Sequence, residues 1–267
     1  MTTVPYTHGH HESVLRSHRW RTAENSVGYL LPHLQPGLSL LDVGCGPGTI
    51  TVDLASRVAP GLVVGIDASA QVIEEARSTA AAAAASGVAF EVADVLALGF
   101  DGGSFDVVHA HQVLQHLGDP VAALVEMRRV CRPGGIVAAR DADYPAMTFF
   151  PADPVLDEAQ AAYRAATLAN GANCDAGRKI LSWAHQAGFS SVVPSASVWC
   201  FATPEDRAWW GGLWADRVTQ SSLADQLLAR GIVTRGQLSA FAAAWRRWAV
   251  APDGWFAVLH GEVICTP

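Results

Sequence analysis

The chain has no long apolar segment and no dense run of basic residues. Both absences narrow the range of functions that it can have. It contains no stretch of about 18 consecutive apolar residues, so we expect no transmembrane helix. Its 18 Lys and Arg residues face 25 Asp and Glu residues, which gives a formal net charge of −7. An acidic protein repels a phosphate backbone unless it has a local basic patch. We therefore expect neither a membrane nor a nucleic acid as partner.

Cysteines are few, and none of them forms a Cys-x-x-Cys pair. The five are widely spaced, at Cys45, Cys131, Cys174, Cys200 and Cys265. The sequence therefore predicts neither a disulfide framework nor a zinc site. The first residues also lack the basic start and apolar stretch of a signal peptide. We expect reduced cysteines, no bound metal and a cytoplasmic protein.

Short apolar runs alternate with helical patterns as far as residue 141. The 267 residues, of which 50% are hydrophobic, suit one large globular domain. The alternation predicts a parallel sheet with helices on both faces. Strands are predicted at 38–43, 62–66, 88–93, 105–110 and 136–140, and helices at 22–34, 49–58, 69–86 and 119–130.

The pattern changes after Asp141. Helices are predicted at about 154–169 and 176–187, and strands at 191–201 and 255–265. Between those strands, residues 204–250 are helical, and we expect them to form an insertion that covers a substrate. The resulting division is an N-terminal lid and helix at 1–37, a ligand-binding core at 38–141, and the rest of the sheet with its insertion at 142–267.

A glycine-rich loop follows the first predicted strand and opens a helix. Its glycines, Gly44, Gly46 and Gly48, are spaced G-x-G-x-G, whereas a dinucleotide-binding loop reads G-x-G-x-x-G and would need glycine at Thr49. A dinucleotide-dependent oxidoreductase is therefore disfavoured. Asp42 lies just upstream, where a carboxylate repels a pyrophosphate and attracts a cationic ligand. Alternatively, Asp42 only caps the neighbouring backbone.

Two more carboxylates follow the next predicted strands. Asp67 ends the second strand, where an acid can accept hydrogen bonds from ribose hydroxyls. Asp94 ends the third strand, where it could accept from an adenine amine while Val95 packs on the ring. The alternative is that both are solvated strand ends.

Five motifs in this order resemble those of the class I S-adenosylmethionine-dependent methyltransferases, most closely a branch similar to quinone-biosynthesis C-methyltransferases. The motifs occupy 41–49, 65–69, 93–95, 105–117 and 130–135. The resemblance implies a Rossmann-like, doubly wound α/β sheet of seven strands whose last strand is antiparallel. It also implies S-adenosylmethionine as cofactor and S-adenosylhomocysteine as product.

The resemblance also implies roles for individual residues. Gly44, Cys45 and Gly46 would contact the methionine part of the cofactor, and His111 and Gln112 would line its sulfonium region. Arg21 could pair with the methionine carboxylate. The predicted cofactor set is Arg21, Asp42, Gly44, Cys45, Gly46, Thr49, Asp67, Ala68, Asp94, Val95, His111 and Gln112.

Methyl transfer needs position and electrostatics more than a particular catalytic residue. The N-terminal segment is rich in histidine, and if it forms a lid, His8 or His11 could act as a base near neutral pH. A solvated polar arm is an alternative for this segment. A metal site that includes His10 and Glu12 is disfavoured, because the spacing matches no ligand pattern.

Aromatic residues suggest where an acceptor binds. Trp210 and Trp214 share a helix face at i, i+4, which predicts either core packing or the wall of an aromatic pocket. His109 lies within a strand and is expected to be a buried core histidine. The predicted acceptor contacts are Tyr6, His116, Tyr144, Trp210 and Trp214.

The hypothesis is therefore methyl transfer to a hydrophobic or aromatic small molecule by in-line displacement. The resemblance favours methylation at carbon, and the alanine-rich composition, typical of a high-GC genome, suggests a natural-product-type metabolite. The alternatives are a nucleic-acid methyltransferase and a non-catalytic protein that only binds S-adenosylmethionine. The sequence leaves open whether the chain is a monomer or a homodimer.

Overall fold

The computed structural model describes residues 12–267, without the side chains of residues 13–15. Strands in this part are β1 (Leu40–Val43), β2 (Val63–Asp67), β3 (Val88–Val92), β4 (Phe105–His111), β5 (Cys131–Ala142), β6 (Thr148–Phe150), β7 (Ser191–Phe201) and β8 (Trp255–Thr266). Helices are α1 (Glu12–Arg19), α2 (Ala23–Ser26), α3 (Thr49–Val58), α4 (Ala70–Ala82), α5 (Pro120–Val130), α6 (Pro154–Ala169), α7 (Ala176–Gln186), α8 (Pro204–Gln220), α9 (Ser222–Ala229) and α10 (Arg235–Ala249).

The strands form one twisted sheet in the order β3-β2-β1-β4-β5-β8-β7. The first five strands in this order pair in parallel, and β8 pairs antiparallel with both β5 and β7. The short strand β6 adds a further antiparallel pair at the start of β8. The predicted Rossmann-like class with an antiparallel last strand is therefore confirmed, and β6 is the one strand of the sheet that the sequence did not indicate.

The topology brings several loops to one edge of the sheet. All four residues of β1 are buried between β2 and β4, as expected for a central strand covered on both faces. Because parallel strands end at the same edge, the loops that follow β1, β2, β3 and β4 lie side by side. A ligand crevice is expected at this edge in folds of this kind.

The helix predicted at 22–34 is wrong. Helix α2 covers only Ala23–Ser26, and the chain continues through turns into a short 3-10 helix. Pro32 lies in the last turn of the predicted helix, where it lacks the N–H that an α-helical hydrogen bond needs. Val27 and Leu30 are nevertheless fully buried. Their apolar spacing therefore correctly indicates which side chains are buried but not a continuous helix.

The helical stretch predicted at 204–250 consists of α8, α9 and α10. Ser221 ends α8, and its hydroxyl accepts a hydrogen bond from the Leu223 N–H at the start of α9. The three helices pack with α6 against β7 and β8 around a core rich in tryptophan, which we call the cap. In the part of the chain described, no helix is long and apolar enough to cross a membrane.

Helix α1 bridges the cap and the sheet half of the molecule. Arg16 forms an ion pair of 2.9 Å with Asp216 of α8, and Arg19 forms one of 2.7 Å with Glu75 of α4. Exposed pairs of this kind contribute little stability each, but together they place α1 across the edge of the sheet where the loops meet.

Candidate functional site

A cavity of about 390 Å³ lies at the carboxyl edge of the sheet. Its walls come from α1 and the turn after it, from the loops after β1, β2, β3 and β4, and from α8. Both the sheet half and the cap therefore contribute to the cavity.

Bare backbone forms one wall. Gly44, Gly46 and Gly48 adopt φ values of +64°, +55° and +80°, a left-handed region that favours glycine. A Cβ atom on Gly44 would lie 2.4 Å from Cγ2 of Val113, so a side chain there does not fit. Gly48 is the N-cap of α3, so the loop also leads into a helix N-terminus.

The Asp67 carboxylate ties this loop to the end of β2. One of its oxygens accepts a hydrogen bond of 2.9 Å from the Ser69 N–H, and the other accepts one of 3.3 Å from the Gly46 N–H. Cys45 lies between the glycines and is buried. Burial, followed by the charges of Asp42 and Asp67, raises the pKa of its thiol far above the usual range. The thiol therefore stays protonated and is a poor nucleophile.

Asp42 supports the loop from below. It is 3% exposed, and its Oδ2 accepts a hydrogen bond of 2.6 Å from the Thr51 hydroxyl. Its Oδ1 lies 2.8 Å from Nδ1 of His109, which is fully buried as expected. Asp42 borders the cavity, but side-chain partners engage both of its oxygens, so its visible role is to hold β1 and α3 together.

Asp94 and Val95 lie after β3 at the same wall. Asp94 is exposed and accepts a hydrogen bond of 2.9 Å from the Leu96 N–H, whereas Val95 is buried beside it. A hydrogen-bond acceptor therefore lies next to an apolar surface at this point. This arrangement suits the edge and the face of a heteroaromatic ring.

Gln112 connects the loop after β4 to the turn after α1. It has a φ of +55°, which is unusual for a residue with a side chain. Its backbone N–H donates to the Arg140 carbonyl at 2.7 Å, and its side-chain oxygen accepts from the Arg21 guanidinium at 2.7 Å. Its side-chain nitrogen lies 2.8 Å from Nε2 of His260. These contacts fix Arg21 at the cavity wall.

His111, beside Gln112, is a buried imidazole at the cavity wall. It is 5% exposed, and neither ring nitrogen has a hydrogen-bond partner within residues 12–267. Burial, helped by the charges of Arg140 and Arg21, lowers its pKa well below the usual range. The ring is therefore neutral near pH 7, with one donor and one acceptor nitrogen.

The cavity wall also carries polar residues from both halves of the molecule, His116, Tyr144 and Arg217. Burial and the charge of Arg21 lower the pKa of His116 to about 3. The Tyr144 ring stacks on Tyr163, with 4.5 Å between centroids. Arg217 of α8 is 4% exposed and donates a hydrogen bond of 3.0 Å to the Ser17 hydroxyl. We define two regions by their residues: the loop end is the glycine loop with Asp67 and Asp94, and the acceptor end, named after the sequence prediction of acceptor contacts, is the wall with His111, His116, Tyr144 and Arg217.

The structure brings most of the predicted site residues together. The cavity is lined by all twelve residues of the predicted cofactor set and by His116 and Tyr144 of the predicted acceptor set. Tyr6, His8 and His11 lie outside the described residues. No group of His, Cys, Asp or Glu side chains that could hold a metal ion occurs within the described part of the chain.

Trp210 and Trp214, which the sequence predicts as acceptor contacts, are not among the residues that line this cavity. Trp210 stacks on Phe201 at 4.2 Å, and Trp214 stacks on Trp245 at 5.6 Å. Both are buried in the core of the cap, because their face of α8 packs against β7, β8 and α10.

Sequence reasoning missed Ser17, Gln115 and Arg217, which also line the cavity. A signal for Arg217 was present, because positions 210, 214 and 217 follow an i, i+4, i+7 pattern and share one helix face. An arginine on the buried face of a helix needs a partner or a ligand.

Comparisons with known proteins agree with this arrangement. Residues 34–202 match the model of a methyltransferase domain. An uncharacterized methyltransferase of Schizosaccharomyces pombe is 34% identical, with 97% of this chain and 95% of the relative covered. A demethylmenaquinone methyltransferase of Lactococcus lactis is 36% identical over 43% of this chain and 46% of the relative.

The fold also resembles solved structures. A putative methyltransferase from Bacillus halodurans superposes with a TM-score of 0.59 at 15% identity, covering 91% of this chain and 98% of that chain. At this identity the similarity shows the fold alone.

Proposed function

We propose, for a chain that belongs to the class I S-adenosylmethionine-dependent methyltransferases, that the loop end of the cavity holds the cofactor and the acceptor end holds a small-molecule methyl acceptor. The observation that carries this proposal is that two chemically different sets of residues line one cavity. One set is left-handed glycines with the carboxylates of Asp67 and Asp94, and the other is buried imidazoles with Tyr144 and Arg217.

The loop end fits a cationic nucleoside. The bare backbone of Gly44 and Gly46 allows close approach of the methionine part, and Asp67 offers carboxylate oxygens to ribose hydroxyls. Asp94 and Val95 offer an acceptor and an apolar surface to the adenine. Arg21, whose guanidinium donates a hydrogen bond to the Gln112 side chain, is the residue we propose to pair with the methionine carboxylate.

The chemistry that the cofactor supplies when bound is an activated methyl group on a sulfonium. The chain itself must position the acceptor and exclude water. Helices α1 and α8 supply Ser17, His18 and Arg217 to the cavity wall, so elements outside the sheet help to enclose it. His111, predicted to line the sulfonium region, would exchange a hydrogen bond with an acceptor bound next to the sulfonium.

The acceptor in this proposal is a planar or aromatic small molecule. The stacked rings of Tyr144 and Tyr163, with Val113 and Leu117 nearby in the lining, support it. The similarity to demethylmenaquinone methyltransferases favours transfer to carbon. Neither the aromatic nature of the acceptor nor the transfer to carbon is argued from Trp210 or Trp214. His8 and His11 stay predictions for a base.

Two measurements test the proposal. Calorimetry should show one molecule of S-adenosylmethionine or S-adenosylhomocysteine bound per chain, and no binding of NAD(H). Incubation with tritiated S-adenosylmethionine and a panel of quinols, phenols and aromatic acids should transfer label to at least one compound. Binding of NAD(H) in place of the sulfur nucleosides would overturn the proposal, and binding without transfer to any acceptor would indicate a non-catalytic protein.

A further inference from the structure

Gln112 has a backbone conformation that a residue with a side chain seldom adopts. Its φ of +55° lies in the left-handed region, where a residue other than glycine is strained. Such a conformation persists only where the surrounding structure holds it. Here the backbone N–H donates to the Arg140 carbonyl, and both ends of the side-chain amide have a partner. The amide is therefore fixed from two sides at the wall of the cavity.

The two partners of the amide decide which way it points. A guanidinium has only donors, so the amide atom that lies 2.7 Å from Nη2 of Arg21 is the oxygen. The amide nitrogen is then the atom that lies 2.8 Å from Nε2 of His260, and it donates to that ring nitrogen. Gln112 therefore keeps its oxygen towards Arg21 as long as His260 offers an acceptor.

The other ring nitrogen of His260 supports the same assignment. Nδ1 lies 3.1 Å from the Val258 carbonyl oxygen, which can only accept, so the ring proton is on Nδ1 and Nε2 has a free lone pair. Burial, followed by the charges of Arg140 and Arg21, lowers the pKa of His260 well below the usual range, so the ring is neutral near pH 7. Every donor from Arg21 to the Val258 carbonyl thus meets an acceptor. We call Arg21, Gln112, His260 and this carbonyl the relay.

His260 is a rigid end point for the relay. It belongs to β8, which pairs with β5 on one side and with β7 on the other. Its side chain is fully buried, and the Trp199 ring packs edge-on against it with 4.4 Å between centroids. His260 is not among the residues that line the cavity, whereas Gln112 and Arg21 are. It therefore acts on a bound molecule through them and not by contact.

We propose that His260 is a positioning residue, which sets the direction of the Gln112 amide and thereby holds Arg21 in place for the carboxylate of the bound cofactor. The proposal rests on the proposed function, where Arg21 is assigned to that carboxylate, and adds a residue that does not touch the ligand. A side chain that is held before the ligand arrives loses less freedom on binding. His260 should therefore affect recognition of the carboxylate and not of the rest of the nucleoside.

The test compares two ligands that differ only in this carboxylate. S-adenosylhomocysteine contains it, and decarboxylated S-adenosylhomocysteine is the same molecule without it. The ratio of their dissociation constants, measured by calorimetry at pH 7, is the carboxylate preference. We expect a preference of about tenfold or more in the unsubstituted chain and its loss in Arg21→Gln, because a hydrogen bond to a charged group is removed.

Two substitutions of His260 distinguish its two ring nitrogens. His260→Gln reaches the position of Nε2, so it keeps an acceptor for Gln112 and should keep the preference within about twofold. His260→Asn reaches only the position of Nδ1, so Gln112 loses its acceptor and the preference should fall about fivefold. In a chain that already carries Arg21→Gln, neither substitution should change the preference further. Val263→Ala, which shortens another buried side chain of β8, is the matched control and should lower stability but not the preference.

The position of the ring proton is a second readout, which a merely structural role of His260 does not predict. In a chain with isotope-labelled histidine, nitrogen NMR should show a neutral His260 ring that is protonated on Nδ1 at pH 7. The signals of His260 are identified by their absence from the spectrum of His260→Gln.

The proposal is overturned if the ring proton is on Nε2, if His260→Asn keeps the full preference, or if His260→Asn weakens both ligands equally. If His260→Asn does not unfold cooperatively, the ring proton of the unsubstituted chain and the preference of His260→Gln decide. If the unsubstituted chain binds both ligands equally, the pairing of Arg21 with the carboxylate fails, and this inference fails with it. If the unsubstituted chain binds no S-adenosylhomocysteine at all, the proposed function itself fails.

Discussion

Removal of the Asp67 carboxylate should weaken cofactor binding far more than it weakens the fold. One oxygen of this side chain accepts from the Ser69 N–H and the other from the Gly46 N–H, so it holds the glycine loop and faces the cavity at once. A hydrogen bond to a charged group contributes about 1.5–3 kcal/mol. Asp67→Ala should therefore raise the dissociation constant of S-adenosylhomocysteine by roughly 10- to 150-fold.

The assay is isothermal titration calorimetry at one pH, with thermal unfolding measured in parallel. Asp67→Asn keeps an oxygen for the Ser69 N–H but loses the charge, so its effect should be the smaller of the two. Asp53→Asn is the matched control, because Asp53 accepts a backbone hydrogen bond of 2.9 Å from Ala23 outside the cavity. It should change stability but not affinity. Unchanged affinity in Asp67→Ala, or an equal loss in Asp53→Asn, would refute the assignment.

Three further predictions concern the loop, the cover and the buried acid. Gly44→Ala should lower the free energy of unfolding by about 1–3 kcal/mol more than Gly37→Ala does, measured by thermal or urea unfolding. Both glycines have positive φ, but of the two only Gly44 has a neighbour within contact distance. Equal losses in the two variants would contradict the close approach of Gly44 to Val113. A chain that starts at residue 19 keeps Trp20, which packs on the cap, but loses Ser17 and His18 from the wall. It should unfold cooperatively and bind S-adenosylhomocysteine about tenfold more weakly, on the order of 1.4 kcal/mol, and undiminished affinity in calorimetry would show that α1 does not cover the cofactor. Asp141 has a folded-state pKa of about 7 against an ordinary value of 3.8, so the folded chain keeps a proton that the unfolded chain has released, and stability falls as pH rises between these values. Asp141→Asn cannot titrate, so it should gain roughly 2–3 kcal/mol relative to the unsubstituted chain between pH 5 and pH 8, and an unfolding difference that is the same at both pH values would contradict the buried, protonated state.

The loop end of the cavity was predictable because its geometry follows from local sequence. Gly44 and Gly46 follow one parallel strand, Asp67 ends the next, and Asp94 follows a third. Parallel strands end at the same edge of a sheet, so residues that follow them become neighbours although they are distant in sequence. Their proximity can therefore be predicted without knowing how side chains pack. All of them line the cavity.

The acceptor end was less predictable because it depends on how the cap packs. The spacing of Trp210 and Trp214 defines a helix face but does not say what that face touches. The face packs into the core of the cap, whereas Arg217, one turn further on the same face, reaches the cavity and Ser17. Which end of a buried stripe meets a ligand is decided by tertiary contacts.

The predicted ends of helices and strands were wrong where apolar spacing and backbone preference disagree. Val27 and Leu30 are buried as their spacing indicates, but α2 ends at Ser26 and Pro32 lies in a separate 3-10 helix. The predicted strand 136–140 begins earlier, at Cys131, because Cys131 pairs with Phe105 ahead of a shift in register. A bulge of this kind leaves no clear mark in apolar spacing.

A crystal structure of the chain with S-adenosylhomocysteine tests the central claim most directly. We expect the ribose hydroxyls on the Asp67 carboxylate, the adenine beside Asp94 and Val95, and the sulfur facing His111. A ligand bound with no polar atom within hydrogen-bonding distance of Asp67, or bound outside this cavity, would contradict it.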